Sequence, residues 1–194
     1  MRIRPSLTLC ALALAPAALP AQAPAAAQQA AAAVLALPES LREGATVLGY
    51  GDGKGLVTLK KGDNHMICLA DDPAVPAFHV ACYHDSMEPF MARGRELRAT
   101  GVTGDQVDTV RFREVKEGKL KMPSQPAMLY SLSGPPGSWD PATGEVKGAR
   151  PLYVTYIPYA TSATTGLPEV PSRGKPWIMF PGTPKAHIMY TPEM

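Results

Sequence analysis

The chain has 194 residues, with 19 Lys and Arg against 17 Asp and Glu and a formal net charge of +2. Arg2 and Arg4 belong to the leader described next, so taking them from the 19 basic residues leaves 17 against 17 acidic ones. This balance argues against a nucleic-acid-binding protein, which would show a concentrated basic patch, and the length suits a single domain.

The start of the chain is predicted to be a secretory signal peptide covering 1–27. Arg2 and Arg4 supply its positive region, and the apolar run over 7–14 is far too short to span a bilayer as a helix. Small residues follow, and cleavage is predicted near 23–27. The order of these features favours a signal peptide over a disordered tail. We therefore expect an exported protein, periplasmic or extracellular, with one soluble domain over 28–194 and no stable membrane insertion.

Four short strands are predicted in close succession after an alanine-rich segment. That segment, 26–37, is interpreted as a short helix or as a remnant of the signal. Alternating patterns then predict strands, the first two joined by a glycine-rich turn. Their ranges are 45–50, 56–60, 66–70 and 78–83. Because the links between them are short, they favour an antiparallel four-strand meander.

The hydrophobic period then changes to that of a helix. One apolar stripe with helical spacing contains Met87, Phe90, Met91, Gly94 and Leu97. Ser86 is placed to cap the start of this helix. The segment 105–117 fits a second helix better than a strand, although Val110 and Phe112 also fit a strand.

Four more strands are predicted in a half of the chain that is rich in proline and glycine. They lie at 127–133, 152–157, 177–180 and 187–190. Strands, then helices, then strands are typical of the α+β class. The predicted fold is therefore α+β, with a mostly antiparallel sheet, one or two central helices and loop-rich C-terminal strands.

The two cysteines beyond the leader, Cys68 and Cys82, are predicted to form a disulfide. An even pair in an exported chain is first interpreted in this way. If the two strands pair residues whose numbers sum to 150, Cys68 lies directly opposite Cys82 on one face of the sheet. This interpretation is preferred to a metal site that uses both sulfurs and to free buried thiols.

Three histidines near the cysteines provide an alternative. His65, His79 and His84 are residue types that bind zinc or copper. The same register places His65 and His79 on the face opposite the cysteines, so the donors do not converge. No metal and no cofactor are therefore expected, and the alternative is a metal-binding protein or a metal-dependent hydrolase that uses these histidines.

Other patterns are given structural interpretations. The alternating glycines over 49–55 are followed by a strand pattern, whereas a phosphate loop needs a helix there. His84, Asp85 and Ser86 are consecutive, so their side chains diverge and do not form a hydrolase triad. Asp71 and Asp72 stand before a proline and are interpreted as turn formers, with general acid–base chemistry or the binding of a hard cation as the alternatives.

A candidate ligand pocket is predicted at Trp177, His187 and Met189. A lone histidine near a tryptophan and a tight Pro/Gly loop is unusual, although a partly buried, hydrogen-bonded histidine is the preferred interpretation. No motif in the chain indicates a known activity. We therefore expect an exported binding or accessory domain without enzymatic activity, whose small-molecule or protein partner is unknown.

Overall fold

The structure is a computed structural model that describes residues 24–51, 55–171 and 174–192. Most of the predicted signal peptide, residues 1–23, thus lies outside the described residues. The helices are α1 (Ala26–Ala33), α2 (Glu39–Arg42), α3 (Glu88–Ala99), α4 (Asp105–Lys116) and α5 (Ser162–Thr165). The strands are β1 (Thr46–Tyr50), β2 (Leu56–Lys60), β3 (Met66–Leu69), β4 (Ala77–His84), β5 (Ala127–Pro136), β6 (Arg150–Tyr156), β7 (Trp177–Met179) and β8 (His187–Tyr190).

The strands form one eight-stranded sheet in the order β2-β1-β3-β4-β5-β6-β8-β7. In the described residues every pairing is antiparallel except that of β1 with β3, which is parallel. The prediction of an α+β fold with a mostly antiparallel sheet is confirmed. No helix among these residues is long and apolar enough to cross a membrane.

The predicted four-strand meander is wrong, because β1 lies between β2 and β3. After β2 the chain crosses in front of the start of β1 and only then enters β3. Backbone hydrogen bonds hold this crossing in place, since the N–H groups of Asp63 and Asn64 donate to the Gly44 carbonyl at 2.9 and 3.1 Å. The short link therefore joins strands that are not neighbours.

Gly62 makes this crossing possible, because its Cα faces backbone atoms. A Cβ added there would lie 2.0 Å from the Gly44 carbonyl oxygen and 2.4 Å from the Ala45 carbonyl carbon. We expect Gly62→Ala to lower the free energy of unfolding by about 1–3 kcal/mol, measured by urea denaturation, because backbone cannot move aside as a side chain does. Gly51→Ala is the control, since its nearest contact is a Val57 methyl at 3.4 Å. Equal losses in the two variants would contradict this account.

The sheet is covered by helices on both faces. On β4 the buried side chains alternate, so that Phe78, Val80 and Cys82 face one way and Tyr83 faces the other. The first face packs against α1 and the 3₁₀ turn that follows it, and the second packs against the apolar sides of α3 and α4. Burial on both faces explains why β4, at the centre of the sheet, is largely apolar.

The helical predictions for the middle of the chain are confirmed, except for the cap. The segment 105–117 forms α4, and the stripe beginning at Met87 forms α3. Ser86 does not cap α3, which begins after a 3₁₀ turn over Asp85–Met87 and has no side-chain cap. Instead the Ser86 hydroxyl lies 2.8 Å from His84 Nδ1, which also accepts from the Ser86 N–H.

The disulfide prediction is confirmed, together with its register. Cys68 and Cys82 are bonded, and they lie directly opposite each other on β3 and β4. Met66 lies opposite His84 in the same ladder, which again gives numbers that sum to 150. Both cysteines are fully buried beneath α1, so the bond fastens the centre of the first core.

Candidate functional site

The three residues of the predicted ligand pocket lie on the last two strands. Trp177 is opposite Met189, and His187 is opposite Met179. Trp177 and His187 are only 8% and 5% exposed. The Nδ1–H of His187 donates to the Lys185 carbonyl at 2.7 Å. This is the buried, hydrogen-bonded histidine that was the alternative to a ligand pocket. A ligand at these residues stays a prediction.

Burial lowers the pKa of His187 below its ordinary value of 6.5, despite the hydrogen bond to the Lys185 carbonyl, which acts in the opposite direction. The folded protein therefore favours the neutral imidazole more strongly than the unfolded chain does, and the unfolded chain takes up a proton from about pH 6.5 downward. Since the unfolded state binds more protons there, stability contributed by His187 is complete above that pH and falls below it.

We expect His187→Gln to remove this component of the pH dependence. The measurement is the free energy of unfolding in urea between pH 5 and pH 7.5 for the wild type, His187→Gln and His65→Gln. His65 is the control because its side chain is 71% exposed. If the free energy of unfolding depends on pH in the same way in the wild type and in His187→Gln, the pH dependence does not come from His187.

The structure brings two of the three alternative metal ligands together and leaves the third apart. The rings of His65 and His84 stack at 6.0 Å between centroids, and their Nδ1 atoms lie 2.8 and 3.4 Å from the carboxylate of Asp85. His79 is elsewhere on the sheet, with its Nε2 3.0 Å from the Ser131 hydroxyl. His65 has a positive φ of 62°, so strand alternation does not determine its direction.

A metal site at these histidines gains no support from the geometry. Across 24–51, 55–171 and 174–192, no group of three or more His, Cys, Asp and Glu side chains is placed to hold a metal ion. The two cysteines are bonded to each other. The metal-dependent alternative stays a prediction.

A pocket of about 300 Å³ lies between α1, the loop that joins β3 to β4, and the loop that follows β5. We call it the α1 pocket. Most of its walls are apolar, and only two of the lining side chains carry polar groups other than an indole. It is lined by Pro24, Gln29, Ala32, Asp71, Pro73, Val75, Pro76 and Trp139.

Gln29 fastens α1 to the sheet and is one of the residues that line this pocket. Its Nε2 donates to the carbonyls of Pro24 and Tyr50, and its Oε1 accepts from the Tyr50 N–H, each at 2.8 Å. The side chain is 4% exposed. Because both ends of the amide are paired, Gln29 is a structural wall of the pocket.

Asp71 is the charged group of the α1 pocket. One carboxylate oxygen accepts the backbone N–H of His79 at 2.8 Å, and Asp71 forms no salt bridge with any described residue. Burial raises the pKa of Asp71. Burial, first, and then the nearby carboxylates of Asp72 and Asp71 raise the pKa of Tyr50 to about 12.

Trp139 supplies the aromatic wall. Its ring stacks with that of Phe78 at 6.4 Å, and its backbone forms an isolated β-bridge with Val146. Its Nε1–H is buried and has no hydrogen-bond partner among the described residues. Because this nitrogen is shielded from solvent, Trp139 offers the pocket its ring and not its N–H.

Apolar walls with a few convergent polar groups are typical of small-molecule sites. The sequence interpretation did not identify this pocket, although it singled out Asp71 and Asp72. Their assignment as turn formers holds for Asp72, whose side chain accepts from the Ala74 N–H at 2.9 Å. The sequence feature that could have indicated the pocket is Trp139, a tryptophan inside the Pro/Gly-rich loop after β5.

Fold and pocket together define an α+β protein with an eight-stranded mixed sheet, helices on both faces and a pocket beside its first helix. Comparison with protein-family models, with curated proteins and with solved structures finds no match for the chain.

Proposed function

We propose that this chain is an exported binding protein without enzymatic activity, and that the α1 pocket is its ligand site. The observation that carries the proposal is an apolar pocket of about 300 Å³, lined by the Trp139 side chain and by the Asp71 carboxylate, which forms no salt bridge with a described residue. A ligand that fills the pocket would give this carboxylate a partner and cover the apolar lining.

The chemistry of the lining supports binding rather than turnover. None of the eight lining side chains is a Ser, Cys, Lys or His that would serve as a nucleophile. Asp71 is the one titratable group among them, and a general acid or base usually works beside a second group. The pocket is therefore suited to holding a ligand unchanged.

Export is supported by two independent features. The predicted signal peptide directs the chain out of the cytoplasm, and cleavage at the early end of the predicted range, after Ala23, keeps Pro24 and α1 in the exported protein. The Cys68–Cys82 disulfide is of the kind that persists in oxidising compartments. An exported domain held by a disulfide suits capture of a small molecule outside the cytoplasm.

The test is fragment binding observed by ¹H–¹⁵N NMR, with a variant that fills the mouth of the pocket. Val75 lines the pocket and is 49% exposed, so Val75→Trp adds bulk there with little cost to folding. Val57, on β2, is also 49% exposed and serves as the matched control. We expect fragments that shift Trp139 and Asp71 resonances to lose at least tenfold in affinity with Val75→Trp and to be unaffected by Val57→Trp.

Fragments that bind both tryptophan variants equally well would contradict the α1 pocket as the ligand site. Steady turnover in an unbiased hydrolase screen that His84→Ala abolishes would contradict the non-enzymatic assignment.

A further inference from the structure

We infer that the α1 pocket selects a small organic cation, an ammonium group carried on a compact apolar body. This inference rests on the proposed function, since it names the ligand class of the same site. It is carried by charge, by the nature of the walls and by volume.

Charge excludes anions and disfavours neutral ligands. Asp71 and Asp72 lie next to each other at the loop between β3 and β4, and neither forms a salt bridge with a described residue. An anion would add a third negative charge. A neutral ligand that displaced water from Asp71 would leave a desolvated carboxylate without a counterion, which is costly. A cation compensates that charge.

The walls suit an ammonium group on an apolar body. Tryptophan is the aromatic side chain that attracts a cation most strongly, and Trp139 lines the same pocket as Asp71. Three prolines and Val75 provide rigid apolar contacts for the remainder of the ligand. Carboxylate, indole and aliphatic surface together match an amine better than a sugar, whose many hydroxyls would find few partners.

Volume limits the size of the ligand. The pocket measures about 300 Å³, at the lower end of the range for small-molecule sites. Since a water molecule takes about 30 Å³ in the liquid, the pocket holds on the order of ten non-hydrogen atoms.

The experiment is isothermal titration calorimetry of three probes that share one aromatic body: phenethylammonium, 2-phenylethanol and phenylacetate. We expect phenethylammonium to bind the wild type at least tenfold tighter than 2-phenylethanol, and phenylacetate to bind most weakly. Asp71→Asn keeps an oxygen that accepts the His79 N–H and removes the charge. We expect the affinity of this variant for phenethylammonium to be at least tenfold lower than that of the wild type. Its affinity for 2-phenylethanol should equal that of the wild type.

Asp105→Asn is the charge control, because it removes one negative charge at an exposed position on α4. The comparison of probes on the wild type needs no variant, so it decides even if Asp71→Asn fails to fold. Equal affinities for the ammonium and the alcohol, both abolished by Val75→Trp, would overturn the cation inference and leave the proposed function standing. Phenethylammonium binding that Val75→Trp leaves intact would overturn both, and no binding of any probe would overturn the cation inference alone.

Discussion

Asp108→Ala is expected to lower the free energy of unfolding by about 3–5 kcal/mol, because it leaves a buried arginine without its counterion. Arg111 is 4% exposed, and its guanidinium lies over the Phe90 ring at 3.8 Å. Its Nη1 donates to the Phe90 carbonyl at 3.1 Å and its Nη2 donates to Asp108. Lys185 also donates to Asp108, at 2.8 Å, so the variant leaves two cations close together.

The measurement is urea denaturation at pH 7, with Glu96→Ala as the matched control. Glu96 pairs with Arg93 at 3.1 Å, but its side chain is 63% exposed. Exposed pairs of this kind contribute about 0–1 kcal/mol, because water screens them. A loss in Asp108→Ala no larger than that in Glu96→Ala would show that Arg111 is stabilised without its carboxylate partner.

The pH dependence of the Asp108 effect follows from the same contacts. Burial alone would raise the pKa of Asp108, but the hydrogen bonds from Lys185 and Arg111 lower it below its ordinary value of 3.8. Because the folded pKa is depressed, this stabilisation is complete above the unfolded pKa and is lost as the pH falls through the folded one. The difference between wild type and Asp108→Ala should therefore shrink below about pH 4.

Removal of the disulfide is the second large effect. The Cys68→Ala, Cys82→Ala double variant is expected to lose about 3 kcal/mol of unfolding free energy, because the open chain regains the entropy of a loop of about 15 residues. The bonded cysteines are 14 positions apart. Both are 0% exposed, so the alanines also leave unfilled volume in the first core.

The measurement is urea unfolding of four samples. Two are the oxidised wild type and the wild type that has been unfolded and refolded with dithiothreitol. The other two are the double variant with and without dithiothreitol. The reductant should destabilise the wild type by about the same 3 kcal/mol and should leave the double variant unchanged. If the wild type has the same free energy of unfolding with and without the disulfide, the bond does not contribute the expected stability.

Local patterns explain which predictions succeeded. The alternation of Phe78, Val80 and Cys82 depends only on the period of a strand, and the stripe that forms α3 depends only on the period of a helix. The disulfide register was accessible for a related reason. β3 and β4 are joined by a short loop, so the hairpin has few alternative registers once its buried face is known.

Features that leave no mark on the hydrophobic pattern explain which predictions failed. The order of β2, β1 and β3 depends on a crossing held by the Gly44 carbonyl, and no periodicity reports it. The Ser86 hydroxyl forms a hydrogen bond with His84, two residues earlier, and does not cap α3. His65 has a positive φ, so the strand period does not determine the direction of its side chain.

The amino-acid sequence alone was sufficient for the α+β class, the helix and strand positions near the centre of the chain and the Cys68–Cys82 pairing, because each depends on neighbours along the chain or across one hairpin. Only the tertiary structure placed Asp71 and Trp139 in one pocket and Asp108 between Arg111 and Lys185. These side chains come from segments far apart in sequence. What brings them together is the packing of helices and loops against the two faces of the sheet, where burial and hydrogen bonding select one arrangement among many that share the same local patterns.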